Sequence, residues 1–233
     1  MKLSIVIPVL NEAAGIAAAL RALAPLHVRG AEVIIVDGGS SDGSVALARP
    51  LADKVLSAAH GRAAQMNAGA ALASGDVLLF LHVDTLLPEN ADRLISQGLA
   101  RTGCVWGRFN IRFDRGLRLI ATMMNLRSRL AGIATGDQAM FVTRATFAGV
   151  GGFPEIALME DIALSAGLRR MSRPLCISAR VVTSGRRWRE YGVVRTVLMM
   201  WRLRLAFFFG ADPQTLARQY GYAPIAGGSA PVR

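Results

Sequence analysis

"GDVLLFLHVD", residues 75–84, is apolar at every position between Asp76 and Asp84 except His82. A strand with one wet face alternates polar and apolar residues. An unbroken run of this length reads instead as a strand covered by helices on both faces, the usual state of a strand in a parallel sheet. The flanks agree. Upstream, "LSIVIPV", "EVIIVD" and "KVLSA" are short β-branched runs, and between them lie the Ala-rich helical stretches "EAAGIAAALRALA", "SDGSVALARPLA" and "GRAAQMNAGAALAS". This βαβ rhythm, with right-handed crossovers, predicts a doubly wound α/β sheet whose loops gather at the strand C-termini, where such sheets bind ligands.

Downstream of about residue 100 the texture becomes α+β. "CVWGRFNIRF" alternates like a strand, "LRLIATMMNLRSRLAG" reads as a helix, and "QAMFVTRATF" as a strand and turn. No Ser/Gly/Pro linker divides the chain, so the expectation is one domain over 1–233. Within it, 1–100 would form an α/β half, 101–190 an α+β half, and 191–233 a helical extension ending in the frayed tail "APIAGGSAPVR".

The chain has 233 residues, 52% of them hydrophobic, which excludes disorder and fibrous repeats. Its 27 Lys and Arg against 16 Asp and Glu give a net charge of +11, carried mostly by Arg. That balance implies an anionic partner: nucleic acid, acidic lipid or a phosphorylated substrate. Cys104 and Cys176 lack metal-ligand spacing, and "MKLSIVIPVLNE" reaches Asn and Glu before a signal-peptide core could form, so a cytoplasmic location is expected. The apolar stretch at 193–210 is interrupted by Arg195, Arg202 and Arg204 and is not expected to span a membrane.

Polar residues close three successive apolar runs: Asn11 and Glu12, then Asp37, then His82 with Asp84. In a parallel sheet these ends cluster, which suits a polar ligand with ribose hydroxyls and a metal. Each alone is equally a turn or cap residue, and "VDGGSSDGS" is also what an ordinary strand-turn-helix junction contains. His82 and Asp84, two apart on an extended strand, would project together, the carboxylate as a hard ligand for Mg2+ or Mn2+ and the imidazole as a hydrogen-bond partner. Glu160 and Asp161 in "MEDIALS" read as a general-base site or as simple helix-start electrostatics. "SGRRWRE" reads as a diphosphate clamp or a solvated basic face, and Arg62 invites the same question. Neither G-x-G-x-x-G after the first strand nor G-x-x-x-x-G-K-[ST] is present, which argues against dinucleotide oxidoreductases and P-loop enzymes.

In order and spacing, "SIVIPVLNE", "IIVDGGSSDGS", "GRAAQMNAGAALASGDVLLFLHVDT", "GGFPEIALMEDIALS" and "GRRW" resemble the family-2 glycosyltransferases, over about residues 1 to 190. The compact length and "MMWRLRLAFFFGADPQTLARQYGY" are most similar to a bacterial subgroup of arsenosugar, selenosugar or carotenoid-acid glycosyltransferases. The resemblance implies the GT-A fold, a Rossmann-like mostly parallel sheet with helices on both faces, with 1–100 as the nucleotide-sugar-binding half and 101–190 as the acceptor half. It also implies an inverting transfer from a nucleoside-diphosphate sugar, a UDP-sugar favoured, with a divalent metal. By that resemblance Pro8 and Glu12 line the nucleoside, Asp37 holds the base or ribose, and Arg62 and Asn67 lie beside the nucleotide. Asp84 would be the metal ligand, with His82 beside it where the family's D-x-D motif has its first aspartate. Asp161 would be the general base of the E-D pair with Glu160, and Arg187 and Trp188 match the end of Q-x-x-R-W. The Gln of that motif is missing, since Thr183 and Ser184 precede the arginines, which favours transfer of one sugar over processive synthesis.

The acceptor is expected to be a small or lipid-like molecule. An interfacial helix at 189–210 would bring peripheral contact with the inner face of the cell membrane, but Arg202 and Arg204 fall on nearly opposite faces, so packing on the core with snorkelling arginines is the alternative. Two other functions compete: a sugar-nucleotidyltransferase-like enzyme, which attacks phosphorus and releases pyrophosphate, and a nucleic-acid-binding protein. The second is disfavoured by the scattered basic residues and the absence of a recognised motif, so no nucleic acid is expected as a partner.

Overall fold

The computed structural model describes residues 1–222, and the tail read above as frayed lies outside them. The elements in chain order are β1 (Leu3–Val9), α1 (Ile16–Ala22), α2 (Ala24–Val28), β2 (Glu32–Asp37), α3 (Ser44–Ala48), β3 (Lys54–Ser57), α4 (Arg62–Leu72), β4 (Val77–Phe80), β5 (Thr85–Leu86) and α5 (Ala91–Thr102). There follow β6 (Trp106–Phe113), α6 (Arg118–Ala131), β7 (Phe141–Thr143), α7 (Arg144–Gly149), α8 (Glu160–Met171), β8 (Leu175–Thr183), α9 (Arg186–Tyr191), α10 (Val193–Phe208) and α11 (Pro213–Tyr220). The strands form one sheet in the order β3-β2-β1-β4-β7-β6-β8-β5. β3, β2, β1 and β4 run parallel, as does the β6–β8 pair. The β4–β7, β7–β6 and β8–β5 pairings are antiparallel.

The apolar runs are unbroken because both faces are covered. On β1, Leu3, Ile5, Ile7 and Val9 face one core layer and Val6 the other, and on β4 Val77 and Leu79 oppose Leu78 and Phe80. α1 and α5 cover the first layer with Ile16, Leu20, Ile95 and Leu99, and α4 covers the second with Ala63, Met66 and Ala70. α4 lies unusually close to the sheet: a Cβ on Gly69 would sit 2.4 Å from Val6 Cγ1 and 2.9 Å from Val36 Cγ2. Only glycine permits that approach.

One expectation changes. β4 ends at Phe80, so His82 and Asp84 stand in a turn, closed by the Thr85 N–H donating to the His82 carbonyl at 3.0 Å, and not on the strand itself. They therefore do not share a strand face. The C-terminal helices pack against the rest of the chain. Leu203 on α10 and Leu216 and Ala217 on α11 form a third apolar cluster with Leu158 and Met159, the residues that lead into α8. Among the described residues no helix is long and apolar enough to cross a membrane.

Candidate active site

A cleft of about 670 Å³ opens at the C-terminal ends of β1 and β4 and is walled by α4, α6, α8, α9 and α10. Pro8, Glu12, Arg62, His82, Asp84, Glu160, Asp161, Arg187 and Trp188 all line it. Asp37 and Asn67, expected beside the nucleotide, do not. Asp37 is buried and its carboxylate accepts the Gly39 N–H at 3.0 Å and the Ser40 N–H at 3.1 Å, which folds the loop after β2. Asn67 on α4 exchanges two hydrogen bonds with the backbone of Phe153: its Nδ2 donates to the carbonyl at 2.8 Å and its Oδ1 accepts the N–H at 2.9 Å. It ties α4 to the segment that enters α8.

Helix α4 positions one wall. Gly69 seats it on β1 and β2. One turn earlier Gln65 donates from Nε2 to the carbonyls of Val9 at 2.9 Å and Val36 at 2.7 Å, and Arg62 begins the helix at the cleft. These three sit at spacings of three and four, one helix face. Sequence reading missed Gln65, whose signal is that spacing.

The opposite wall is the start of α8. Met159 precedes it with φ at +72°, a left-handed conformation that a side chain adopts at a cost of order 1–3 kcal/mol and that is often found at functional sites. The turn delivers Glu160 and Asp161 into the cleft. Glu160 is only 7% exposed, and burial, with Asp161 beside it, pushes its carboxyl up to about 7 despite the opposing charge of Arg62. Asp161 is fixed by backbone: the Gly136 N–H donates to Oδ2 at 2.8 Å and the Ile162 N–H to Oδ1 at 2.7 Å. A carboxylate held this way has its orientation set before any ligand arrives.

Between the walls, His82 Nδ1 lies 3.6 Å from Asp137 Oδ1, and a Cβ on Gly136 would meet the imidazole at 2.5 Å, so this glycine makes room for the ring. Asp137 was not singled out from the sequence. Although burial alone would raise it, His82, Arg62 and Arg204 hold its carboxyl below the usual range. Asp84 is exposed and makes only a long 3.4 Å contact with its neighbour's hydroxyl, Thr85 Oγ1. Burial and the proximity of Asp84 raise the carboxyl of Glu12.

Five arginines line the cleft: Arg62, Arg127, Arg186, Arg187 and Arg204. Arg187 Nη2 donates to the Tyr220 carbonyl at 2.6 Å and its guanidinium lies 3.6 Å from the Tyr220 ring centroid, while Arg62 lies 5.3 Å from that of Tyr222. Trp188 packs edge-on to Phe113. Burial and the charge of Arg204 on α10 lower the guanidinium of Arg127 on α6 to about 10, and burial lowers Arg204 against the opposing pull of Asp161 and Asp137. Arg127 Nη2, Arg187 Nε and Arg204 Nε are buried without a hydrogen-bond partner among the described residues, a state that an anionic ligand would relieve.

No group of three or more His, Cys, Asp or Glu among the described residues encloses a metal. A single open carboxylate, Asp84, with Glu12 near it, fits instead an ion that takes one or two protein carboxylates and completes its shell from ligand phosphates and water.

A parallel half-sheet with a polar cleft at its strand ends, extended by a mixed half, is the GT-A class of nucleotide-sugar-binding folds. Residues 4–149 match the model of glycosyl transferase family 2, and the chain belongs to that family. Three solved structures show how far the fold extends. The Staphylococcus aureus TarS 1-349 complex with UDP-GlcNAc is 18% identical with a TM-score of 0.67, covering 79% of this chain and 58% of that one. The mannosyltransferase PcManGT from Pyrobaculum calidifontis with GDP-Man and Mn2+ is 21% identical at TM-score 0.63, covering 96% and 66%. Glucosyl-3-phosphoglycerate synthase from Mycobacterium tuberculosis, with Mn2+, UDP and phosphoglyceric acid, is 19% identical at TM-score 0.56, covering 78% and 69%. The chain thus spans about three fifths of the TarS fragment. A comparison with curated protein sequences returned no match.

Proposed function

We propose that this chain transfers one sugar from a nucleoside-diphosphate sugar, a UDP-sugar favoured, to a small or lipid-like acceptor with inversion at the anomeric carbon. The observation that carries the reading is the combination in one cleft of arginines with unpaired buried N–H groups and the Glu160–Asp161 pair at the start of α8. The family match supports it, as do the nucleotide sugars named in the TarS and PcManGT complexes.

In this reading Pro8 and Glu12 flank the nucleoside, and Arg62 and Arg187 present guanidinium N–H groups to the diphosphate, with Trp188 in the same cleft wall, packed on Phe113. Asp84 would hold a divalent ion, Mn2+ or Mg2+, whose contribution is neutralisation of negative charge on the diphosphate. His82, turned toward Asp137, stays beside that site as a neighbour and not a ligand. Asp161, its orientation fixed by Gly136 and Ile162, accepts the proton of the attacking acceptor group. Glu160, its carboxyl raised by burial and by Asp161, puts less negative charge beside Asp161 than an ordinary carboxylate would. Asp37 and Asn67 act at a distance, the first shaping the loop after β2 and the second anchoring the approach to α8.

Thermal unfolding with UDP, GDP, dTDP and ADP, with and without Mn2+, tests the donor site. A ligand at about a hundred times its dissociation constant adds roughly 2.7 kcal/mol. One nucleotide should stabilise the protein in a metal-dependent manner, and Asp84→Ala should abolish the metal dependence. No shift with any of them refutes the reading, and release of pyrophosphate in place of a nucleoside diphosphate refutes sugar transfer.

A further inference from the structure

Helices α6 and α10 both wall the cleft, and each turns a row of large apolar side chains outward. On α10 the row is Val194, Leu198, Trp201, Leu205 and Phe208, continued by Phe209. Leu198 is 63% exposed, Leu205 60% and Phe208 82%. On α6 it is Leu119, Met123, Leu126 and Leu130, with Leu126 at 55% and Leu130 at 78%. At about 100° per residue each row spans an arc of under about 90°. The arginines that break up the α10 sequence do not break up this face: Arg202 lies on one flank of the row and Arg204 on the other, turned to the cleft. Soluble proteins rarely leave contiguous apolar surface of this extent uncovered.

We infer that the α6/α10 face seats the protein on an anionic lipid bilayer. Charge selects the occupant. Neither helix contains an acidic residue or a lysine. Arg118, Arg129, Arg195 and Arg202 are exposed beside the apolar rows, within a chain of net charge +11. An apolar row flanked by arginine and carrying a tryptophan is the pattern of a helix lying in the headgroup plane. The face is also continuous with the site, because Met123 and Trp201 are more than half exposed and line the cleft as well. An acceptor with an apolar body could then reach Asp161 without leaving the bilayer. This last step rests on the function proposed above, while the seating itself does not.

Co-sedimentation of the full chain with vesicles tests it, using phosphatidylcholine alone and phosphatidylcholine with phosphatidylglycerol. Each basic residue near an anionic surface multiplies binding roughly fivefold. Binding to the phosphatidylglycerol vesicles should therefore exceed that to neutral ones by at least about tenfold and weaken in high salt. The variant Leu198→Glu/Leu205→Glu/Phe208→Glu, and separately Leu126→Glu/Leu130→Glu, should lose that binding and keep the nucleotide-induced thermal shift. Absence of binding to phosphatidylglycerol vesicles at low salt overturns the inference, as does binding that both variants retain. A dimer that the variants dissolve, with no vesicle binding, assigns the face to a second copy and overturns it too. Vesicle binding without any nucleotide shift refutes the proposed function and leaves the seating intact.

Discussion

Glu160→Gln should make the unliganded protein more stable, by an amount that grows as pH rises above about 4.5. Glu160 is buried at the start of α8 beside Asp161, and these surroundings lift its carboxyl from an ordinary 4.5 to about 7. A carboxyl raised by folding favours the protonated chain, so its penalty is absent below about 4.5, grows as pH rises through the interval to about 7, and is complete above it. The full penalty has an upper bound of about 3 kcal/mol, from 1.36 kcal/mol per pH unit of displacement. Glutamine has the same shape and cannot ionise. The variant should match the wild type at pH 4.5 and exceed it by up to about 3 kcal/mol at pH 8, or about 6–12 °C at the midpoint for a chain of this size. Urea unfolding followed by circular dichroism at pH 4.5, 6 and 8 reads the difference directly. A difference that does not grow with pH, or a variant less stable than wild type at pH 8, refutes the reasoning, because either result means that Glu160 ionises in the fold as freely as in the unfolded chain.

Three further outcomes follow from the geometry. Gly69→Ala places a methyl 2.4 Å from Val6 and should cost about 1–3 kcal/mol in denaturant unfolding while also weakening nucleotide binding, since α4 carries Arg62 and Gln65 with it. Asn67→Ala removes both hydrogen bonds to Phe153 and should cost about 1–3 kcal/mol, with faster amide exchange over residues 152–159 and unchanged exchange in β1. Asp161→Asn should lower kcat by about 10²- to 10⁴-fold and leave the nucleotide-induced thermal shift in place; full activity in this variant would mean that the acceptor group is already ionised.

The fold was legible because its cues are local. β-branched runs covered on both faces, such as "EVIIVD", carry their burial in their composition, and the Ala-rich segments between them have no other use than as helices. The boundary at Phe80 was not, because the turn that follows is made by a backbone hydrogen bond and Leu81 and Val83 carry the apolar run on past the strand. Within the site, residues that stand in order at strand or helix ends, such as Glu12, Asp84 and Asp161, could be anticipated together. Asp37 looked the same in sequence, yet its carboxylate is spent on the loop beside it, a choice that depends on burial and not on residue type. Gln65, Asp137, Arg127 and Arg204 were missed because each comes to the cleft from an element whose placement is a long-range outcome. The apolar row on α10 was hidden for the opposite reason: arginines adjacent in sequence lie on either side of it in space.

The contact of Arg62 with Tyr222 and of Arg187 with Tyr220 also has a meaning in time. Chains fold from the N-terminus as they are made, and the β1–β4 half can assemble early from near neighbours in sequence. Arg62 must wait for a tyrosine roughly 160 residues later, about ten to thirty seconds at ordinary synthesis rates. A half-made chain thus holds the β1–β4 half with Arg62 bare, and the cleft is closed on that side only by the last of its described walls to emerge.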